Sequence, residues 1–344
     1  MENCIRKYSE IDIEDIGEVG YKNATIGEMK RLLAPHGILI PDGFAITAEA
    51  YQYFVRYNNL ESPLRFLIDG LDTESFSNLS SVSSQARKLI MDCKMPPALG
   101  MGIIDAYDYL FDVTQAEVAI RSSAVDNQAT NINGIGLNDS FLNVHGHGAL
   151  FYAIKQCFAS LYNDRAVKHA AEWGYQLHDR AMAVGVQQMI RADKGASGVT
   201  HTIDPRDNTA DEICIKAMWG LGEMINHETI EPDEYLVLKA SLKTGTPVIE
   251  KELGGKHKMM IYADEDNDTD LTVLTDTPLS LQQRFVLDEK EILHLAEWAA
   301  LLETVYKKPM GFEWAKDGNN HQLYLLQTDA ELVNVPSCCL VAAK

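Results

Sequence analysis

The sequence predicts an α+β protein built in two lobes. Helical and extended patterns alternate along the chain. The 344 residues, 46% of them hydrophobic, exceed the usual size of one compact domain and can bury a sizeable core. No internal repeat or low-complexity segment interrupts the pattern. The first lobe is expected over 1–190, the second over 191–334, and a tail over 335–344.

Taken in order, "NATIGEMKRLLAPHG" places Ile26, Met29, Leu32 and Leu33 at helical spacing, and Gly37 suits the helix end. "ILIPDGFAIT" follows as a short strand with a proline-bearing turn. Residues 48–112 read as mostly helical, with "SFSNLSSVSS" a loop and helix entry. "EVAIRSSA" is a buried strand ending in polar residues. Residues 125–140 are polar and contain glycine, a long loop of the kind that often carries function. "GALFYAIKQCFASLYNDRAVKHAAEWG" has a strong amphipathic helical pattern. "AMAVGVQQMI" reads as a strand, and "GASGVTHTID" as a turn and a second strand. "EICIKAMWGLGEMI" and "DEYLVLKASL" add strands, and "TPVIEKELGGKHKMMIYA" reads as a hairpin. A helix over 288–306 precedes "GFEWAKDGNNHQLYLLQTDAEL", two short strands around a polar turn. There Glu313 lies between Phe312 and Trp314, while Leu323, Leu325, Gln327 and Asp329 alternate on one expected face.

Charge narrows the function classes. The 30 basic residues against 50 acidic ones give a net charge of -20, which disfavours nucleic acid and anionic membranes as partners. The amino terminus has no apolar core after a basic start, so no secretory signal is expected. No run approaches the roughly 18 apolar residues that span a bilayer. Six cysteines without C-x-x-C spacing read as reduced thiols of a cytoplasmic protein.

Four elements have the chemistry of a nucleoside-triphosphate site. In "GYKNATIGEM", Lys22 follows Gly20 at a helix start that suits phosphate oxygens, although a lysine there is often only a solvated charge. In "AIRSSA", Arg121 leaves an apolar strand and needs an anion or carbonyls, with a structural ion pair as the plainer explanation. In the 125–140 loop, Gly134 and Gly136 let backbone N–H groups approach phosphates, in a spacing that fits neither a Walker A loop nor a dinucleotide fingerprint. In the closing hairpin, Glu313 and Gln327 offer hard oxygen ligands of the kind Mg²⁺ accepts. The strand with Gln187 and Met189 suits the edge of an adenine and equally a core. His145 and His147 lack further ligands nearby and read as a surface turn.

Together these blocks resemble the ATP-grasp nucleotide-binding region shared by phosphoenolpyruvate synthase, pyruvate phosphate dikinase and rifampicin phosphotransferase. The resemblance covers nearly all of 15–333, through "GYKNATIGEM", "PDGFAIT", "AIRSSA", "SFLNVHG", "FASLYNDRAV", "GVQQMIRADKGASGV", "WGLGEM", "PDEY" and "EWAKDG" with "LYLLQ". It implies an ATP-grasp fold with nucleotide in the cleft between two lobes. It further implies that Lys22 and Arg121 contact ATP phosphates, that the loop at Gly134 and Gly136 covers them, and that Gln187 to Met189 flank the adenine. Glu313 and Gln327 would hold Mg²⁺. Family chemistry moves the β-phosphoryl group of ATP to a histidine on a separate swivelling domain. Such transfer rests largely on positioning and charge neutralisation.

The sequence departs from the family pattern in three places. The histidine domain and the phosphoenolpyruvate-binding barrel have no counterpart in these residues, so a partner subunit or a small-molecule acceptor is expected. The loop after Arg121 has Asn127, Gln128 and Asn131 where the family has acids. In the hairpin, Gly311 replaces an aspartate and Asp329 replaces an arginine. If Glu313 pairs with Gln327, Gly311 faces Asp329 in the same register, which makes Asp329 a further metal candidate. The expected function is an ATP- and Mg²⁺-dependent phosphotransferase of dikinase type. A nucleotide-binding module with weak or no transfer is the alternative.

Overall fold

The structure, a computed structural model, describes residues 3–111, 116–125, 140–177, 180–204, 210–222, 225, 230–244, 247–263 and 272–329. It is a mixed α+β protein whose sheets are antiparallel. The chain divides into two compact units, Met1–Arg31 with Asp42–Met189, and Leu32–Pro41 with Ile190–Lys344.

The first unit is built from β1 (Ile5–Lys7), α1 (Ile16–Leu33), β2 (Gly43–Ile46), α2 (Ala48–Tyr57), α3 (Glu61–Asp69), α4 (Leu79–Asp92), α5 (Pro97–Phe111), β3 (Val118–Val125), β4 (Ser140–Val144), α6 (Gly146–Ser160), α7 (Asp164–Trp173) and β5 (Ala181–Gln188). Helix α1 continues to Leu33, just past this unit's edge. The strands form one sheet in the order β1-β2-β5-β3-β4. Alternation sorts its two faces. Phe44, Ile120, Val184 and Val186 point into a core with Phe54, Leu150 and Phe158. Full burial of such side chains contributes about 1.5–3 kcal/mol each. The opposite face carries Arg121 and Gln187 among the small residues Gly43, Ala45, Ala119 and Gly185.

The helical stretch read from "GALFYAIKQCFASLYNDRAVKHAAEWG" is two helices, not one. Asn163 ends the continuity, because its side chain caps α7 by accepting the Ala166 N–H at 2.7 Å. Hydrophobic spacing continues across the break, which is why the pattern concealed it.

The second unit contains β6 (Ala196–His201), β7 (Glu212–Trp219), β8 (Asp233–Leu238), α8 (Lys239–Leu242), β9 (Ile249–Glu252), β10 (Lys258–Tyr262), β11 (Thr272–Asp276), α9 (Leu279–Gln282), α10 (Glu289–Tyr306), β12 (Gly311–Lys316) and β13 (Leu323–Asp329). Its main sheet runs β13-β12-β6-β7-β8-β9, and β10 pairs with β11 apart from it. Helix α10 starts in a reciprocal capping box, with Asp288 and Glu291 each accepting the other's backbone N–H at 2.9 and 3.0 Å. It packs on β6, β7 and β8, and its Trp298 meets Phe312 of β12.

The hairpin expected over 246–263 is not formed among the described residues. Strand β9 pairs with β8, and β10 with β11. A buried network between them accounts for this. Asp233 pairs with Lys256, whose side chain is 1% exposed, and accepts N–H groups from Gly254 at 2.9 Å and Val286 at 2.7 Å. Gly254 is tight against the carbonyls of Glu231 and Pro232, where an added Cβ would lie 2.2 Å away. The chain between β9 and β10 is therefore tied to residues 231–233 instead of turning back on itself.

Among the described residues no helix is long and apolar enough to cross a membrane. Cys4, Cys93, Cys157 and Cys214 are free thiols.

Candidate functional site

In the first unit, glycines bring polar groups close to Arg121. Helix α1 is interrupted at Gly20, whose φ of 75° lies in the left-handed region. A Cβ there would stand 2.3 Å from Ser123 Oγ, so the segment leading to Lys22 lies against β3, two residues along from Arg121. Asn23 follows, 1% exposed, and its Oδ1 accepts the Tyr8 hydroxyl at 3.2 Å. Both groups sit over Gly185, the direct ladder partner of Arg121. Burial pushes the Tyr8 hydroxyl pKa up, the Arg121 charge pulls it back, and Asp42 adds to the rise.

Gln187 occupies the same face, opposite Ala119 and Gly43. Arg121 Nε and Gln187 Nε2 are buried without a hydrogen-bond partner among the described residues. Unspent donors of this kind call for an acceptor, since a buried unpaired donor costs about 1–3 kcal/mol. Met189 lies just past β5, and its N–H is spent on the Glu117 carbonyl at 3.0 Å. Gly134 and Gly136 lie outside the described residues, as do Asn127, Gln128 and Asn131.

In the second unit, Glu313 stands directly opposite Gln327, and Gly311 opposite Asp329. The register is the one expected, but the face is not. Trp314 pairs with Leu325 while Glu313 pairs with Gln327, so Leu326 is an extra residue in a β-bulge. Neighbouring residues of β12 face opposite ways. Gln327 therefore lies on the face opposite Leu323 and Leu325, with Glu313. Phe312 and Trp314 are fully buried, whereas Glu313 and Gln327 are half-buried. Neither has a hydrogen-bond or ion-pair partner among the described residues. A carboxylate beside an amide carbonyl supplies hard oxygen donors, and their unspent state fits a cation such as Mg²⁺. Asp329 is placed by its backbone register opposite Gly311.

The sequence reading missed the continuation of this row onto β6 and β7. Glu313 neighbours Val199, then Lys216, whose Nζ lies 3.0 Å from Glu234 of β8. Gly311 neighbours His201, 8% exposed, with its Nδ1 buried and unpartnered among the described residues. Burial pushes the His201 pKa down and the Lys216 charge adds to this, while Asp204 opposes it. The two-residue alternation from Val199 to His201 was the available signal. His147 makes a structural contact, 2.9 Å from Asp108, and no metal-binding group of histidine, cysteine and carboxylates occurs among the described residues.

An antiparallel α+β chain whose Arg121 Nε, Glu313 and Gln327 are unspent among the described residues has the makings of a nucleotide-binding protein. The chain belongs to the pyruvate phosphate dikinase AMP/ATP-binding domain family, whose model matches residues 16–334. It is 40% identical over 335 residues to a phosphoenolpyruvate synthase of Aquifex aeolicus, covering 94% of this chain and 39% of that protein. Identity is 37% to the phosphoenolpyruvate synthase of Helicobacter pylori, over 96% of this chain and 42% of the relative. For that of Escherichia coli it is 34%, over 95% and 41%. The chain thus spans about two fifths of the length of these relatives.

Proposed function

We propose that this chain is an ATP- and Mg²⁺-dependent phosphotransferase of ATP-grasp type. Its acceptor would be a histidine of a partner protein or a small molecule. The observation that carries the reading is the in-register pair Glu313 and Gln327, half-buried and without partners among the described residues. In this reading the two oxygens hold Mg²⁺, which supplies charge neutralisation at the phosphates when bound. Lys22 and Arg121 bind phosphate oxygens, with Asn23 and Tyr8 fixing the surroundings of the guanidinium. Gly134 and Gly136 close over the phosphates, and Gln187 and Met189 flank the base. Membership of an AMP/ATP-binding domain family supports ATP as the nucleotide.

Gly311 and Asp329 favour a second reading, a nucleotide-binding module with slow or no transfer. The family's aspartate and arginine are both replaced in this one ladder row, and loss of a cation at the transferring group costs orders of magnitude in rate. Incubation with ATP and Mg²⁺, with and without acceptors, separates the two. AMP formation supports dikinase chemistry, and ADP a simple kinase or ligase. Binding without turnover, weakened by Lys22→Ala, identifies the module. Absence of ATP binding overturns both.

A further inference from the structure

The geometry points to a second, separate anion site in the first unit, a cavity of about 400 Å³ between α2, α3, the end of α6 and the approach to β5, built to take a small polyanion of phosphate or carboxylate chemistry. Its lining includes Arg56, Arg65 and Arg180, and none of the residues assigned above to nucleotide or metal. Three arginines line one concavity in a chain with a net charge of -20. Acidic side chains are plentiful, yet Arg56 and Arg65 make no ion pair among the described residues. Arg180 is held in place by stacking, its guanidinium carbon 3.7 Å from the centre of the Tyr175 ring. Guanidinium groups present fork-shaped donors that match oxyanions, and Arg56 and Arg65 keep that capacity unspent among the described residues.

Two tyrosines of the lining supply an independent observation. Tyr51 and Tyr162, 4% and 2% exposed, line the same cavity with their hydroxyls 3.4 Å apart. Each hydroxyl has one proton to donate. One proton serves the bond between them, and the other has no acceptor among the described residues. Burial raises both pKa values, so both hydroxyls stay protonated donors at neutral pH. A buried O–H and the arginines of the same lining form a donor set that an oxyanion completes. Glu61 is the one acid in the lining, and it sets a polarity: the ligand's charge lies towards the arginines and an uncharged or hydroxyl-bearing end towards Glu61.

Isothermal titration of the full chain with inorganic phosphate and, separately, with citrate at constant ionic strength tests the site. The stronger anion tells phosphate from carboxylate chemistry. We expect binding by the wild type and by Lys22→Ala/Arg121→Ala alike, because the nucleotide residues lie outside the cavity. Arg56→Gln/Arg65→Gln should weaken it about tenfold or more, and Tyr51→Phe/Tyr162→Phe about threefold or more, with unchanged circular dichroism. Glu61→Gln should strengthen it. The inference is overturned if neither anion binds at about 10 mM. It is equally overturned if the arginine pair has no effect, if Lys22→Ala/Arg121→Ala abolishes binding, or if the tyrosine pair leaves affinity unchanged, which would reduce the effect to diffuse surface charge.

Discussion

Glu313 and Gln327 face each other across β12 and β13 as direct ladder partners, half-buried, with their oxygens unspent among the described residues. If they share a cation, Glu313→Gln removes its only formal negative charge while preserving shape. Mg²⁺-dependent ATP affinity should fall at least about tenfold, roughly 1.4 kcal/mol, with little change in Tm. Calorimetric titration with and without Mg²⁺ measures it, and an unchanged Mg²⁺ dependence would remove the cation from this pair.

The bulge makes a sharper prediction. Leu326 is the residue left over between the Leu325 and Gln327 pairings. Deleting it regularises the ladder and keeps Gln327 opposite Glu313, so cation affinity should stay within about threefold. Had simple alternation governed the strand, the same deletion would turn Gln327 to the buried face and abolish binding. One titration of the deletion variant distinguishes these outcomes.

Gly20→Ala should be strongly destabilising. Its φ of 75° costs an L-residue about 1–2 kcal/mol, before any account of a Cβ placed 2.3 Å from Ser123 Oγ. The urea midpoint should fall accordingly, and ATP affinity should drop as Lys22 moves with the segment. A wild-type midpoint would contradict the close approach to β3.

Lys256→Met leaves the Asp233 carboxylate buried without its cation. Removing one partner of a buried pair costs about 3–5 kcal/mol. The backbone N–H groups of Gly254 and Val286 still reach Asp233, which favours the lower end of that range. Chemical denaturation of the variant checks the size of the loss.

His201 gives stability a pH dependence of defined sign. Its folded pKa lies below the usual value because burial disfavours the imidazolium, with Lys216 adding to the effect. Below about pH 6.5 the unfolded chain takes a proton that the folded chain resists. The contribution is therefore complete above that pH and is lost as pH falls towards the folded pKa. Comparing urea midpoints of the wild type and His201→Phe from about pH 5 to 7.5 should show a steeper acid-side loss in the wild type. Parallel curves would place the titration elsewhere.

Much of this architecture was legible locally. Gly37 with φ 84° ends the helical region after α1, and Asp288 with Glu291 marks the start of α10. The sequence posed the Glu313–Gln327 pairing as a condition, and the ladder meets it with Gly311 opposite Asp329. What escaped depends on contacts distant in sequence or on single residues. A bulge leaves no periodic trace, so the facing of Leu325 and Gln327 was misread. Partners of β9 and β10 were hidden because Asp233 and Lys256 are brought together only by the fold. His201 looked like one polar residue in a strand until Gly311 appeared beside it.

The ten residues Leu32–Pro41 belong to the second unit although both flanking stretches belong to the first. The Leu325 N–H bonds to the Leu39 carbonyl at 2.8 Å, so this early segment backs one of the last strands. On the ribosome, where chains emerge amino terminus first, that segment appears long before β13 exists to receive it. The first unit must therefore close around a loop whose own destination has not been synthesised. A chain break after Met189 would strand the same segment on the wrong fragment, and the two halves would refold only by finding each other.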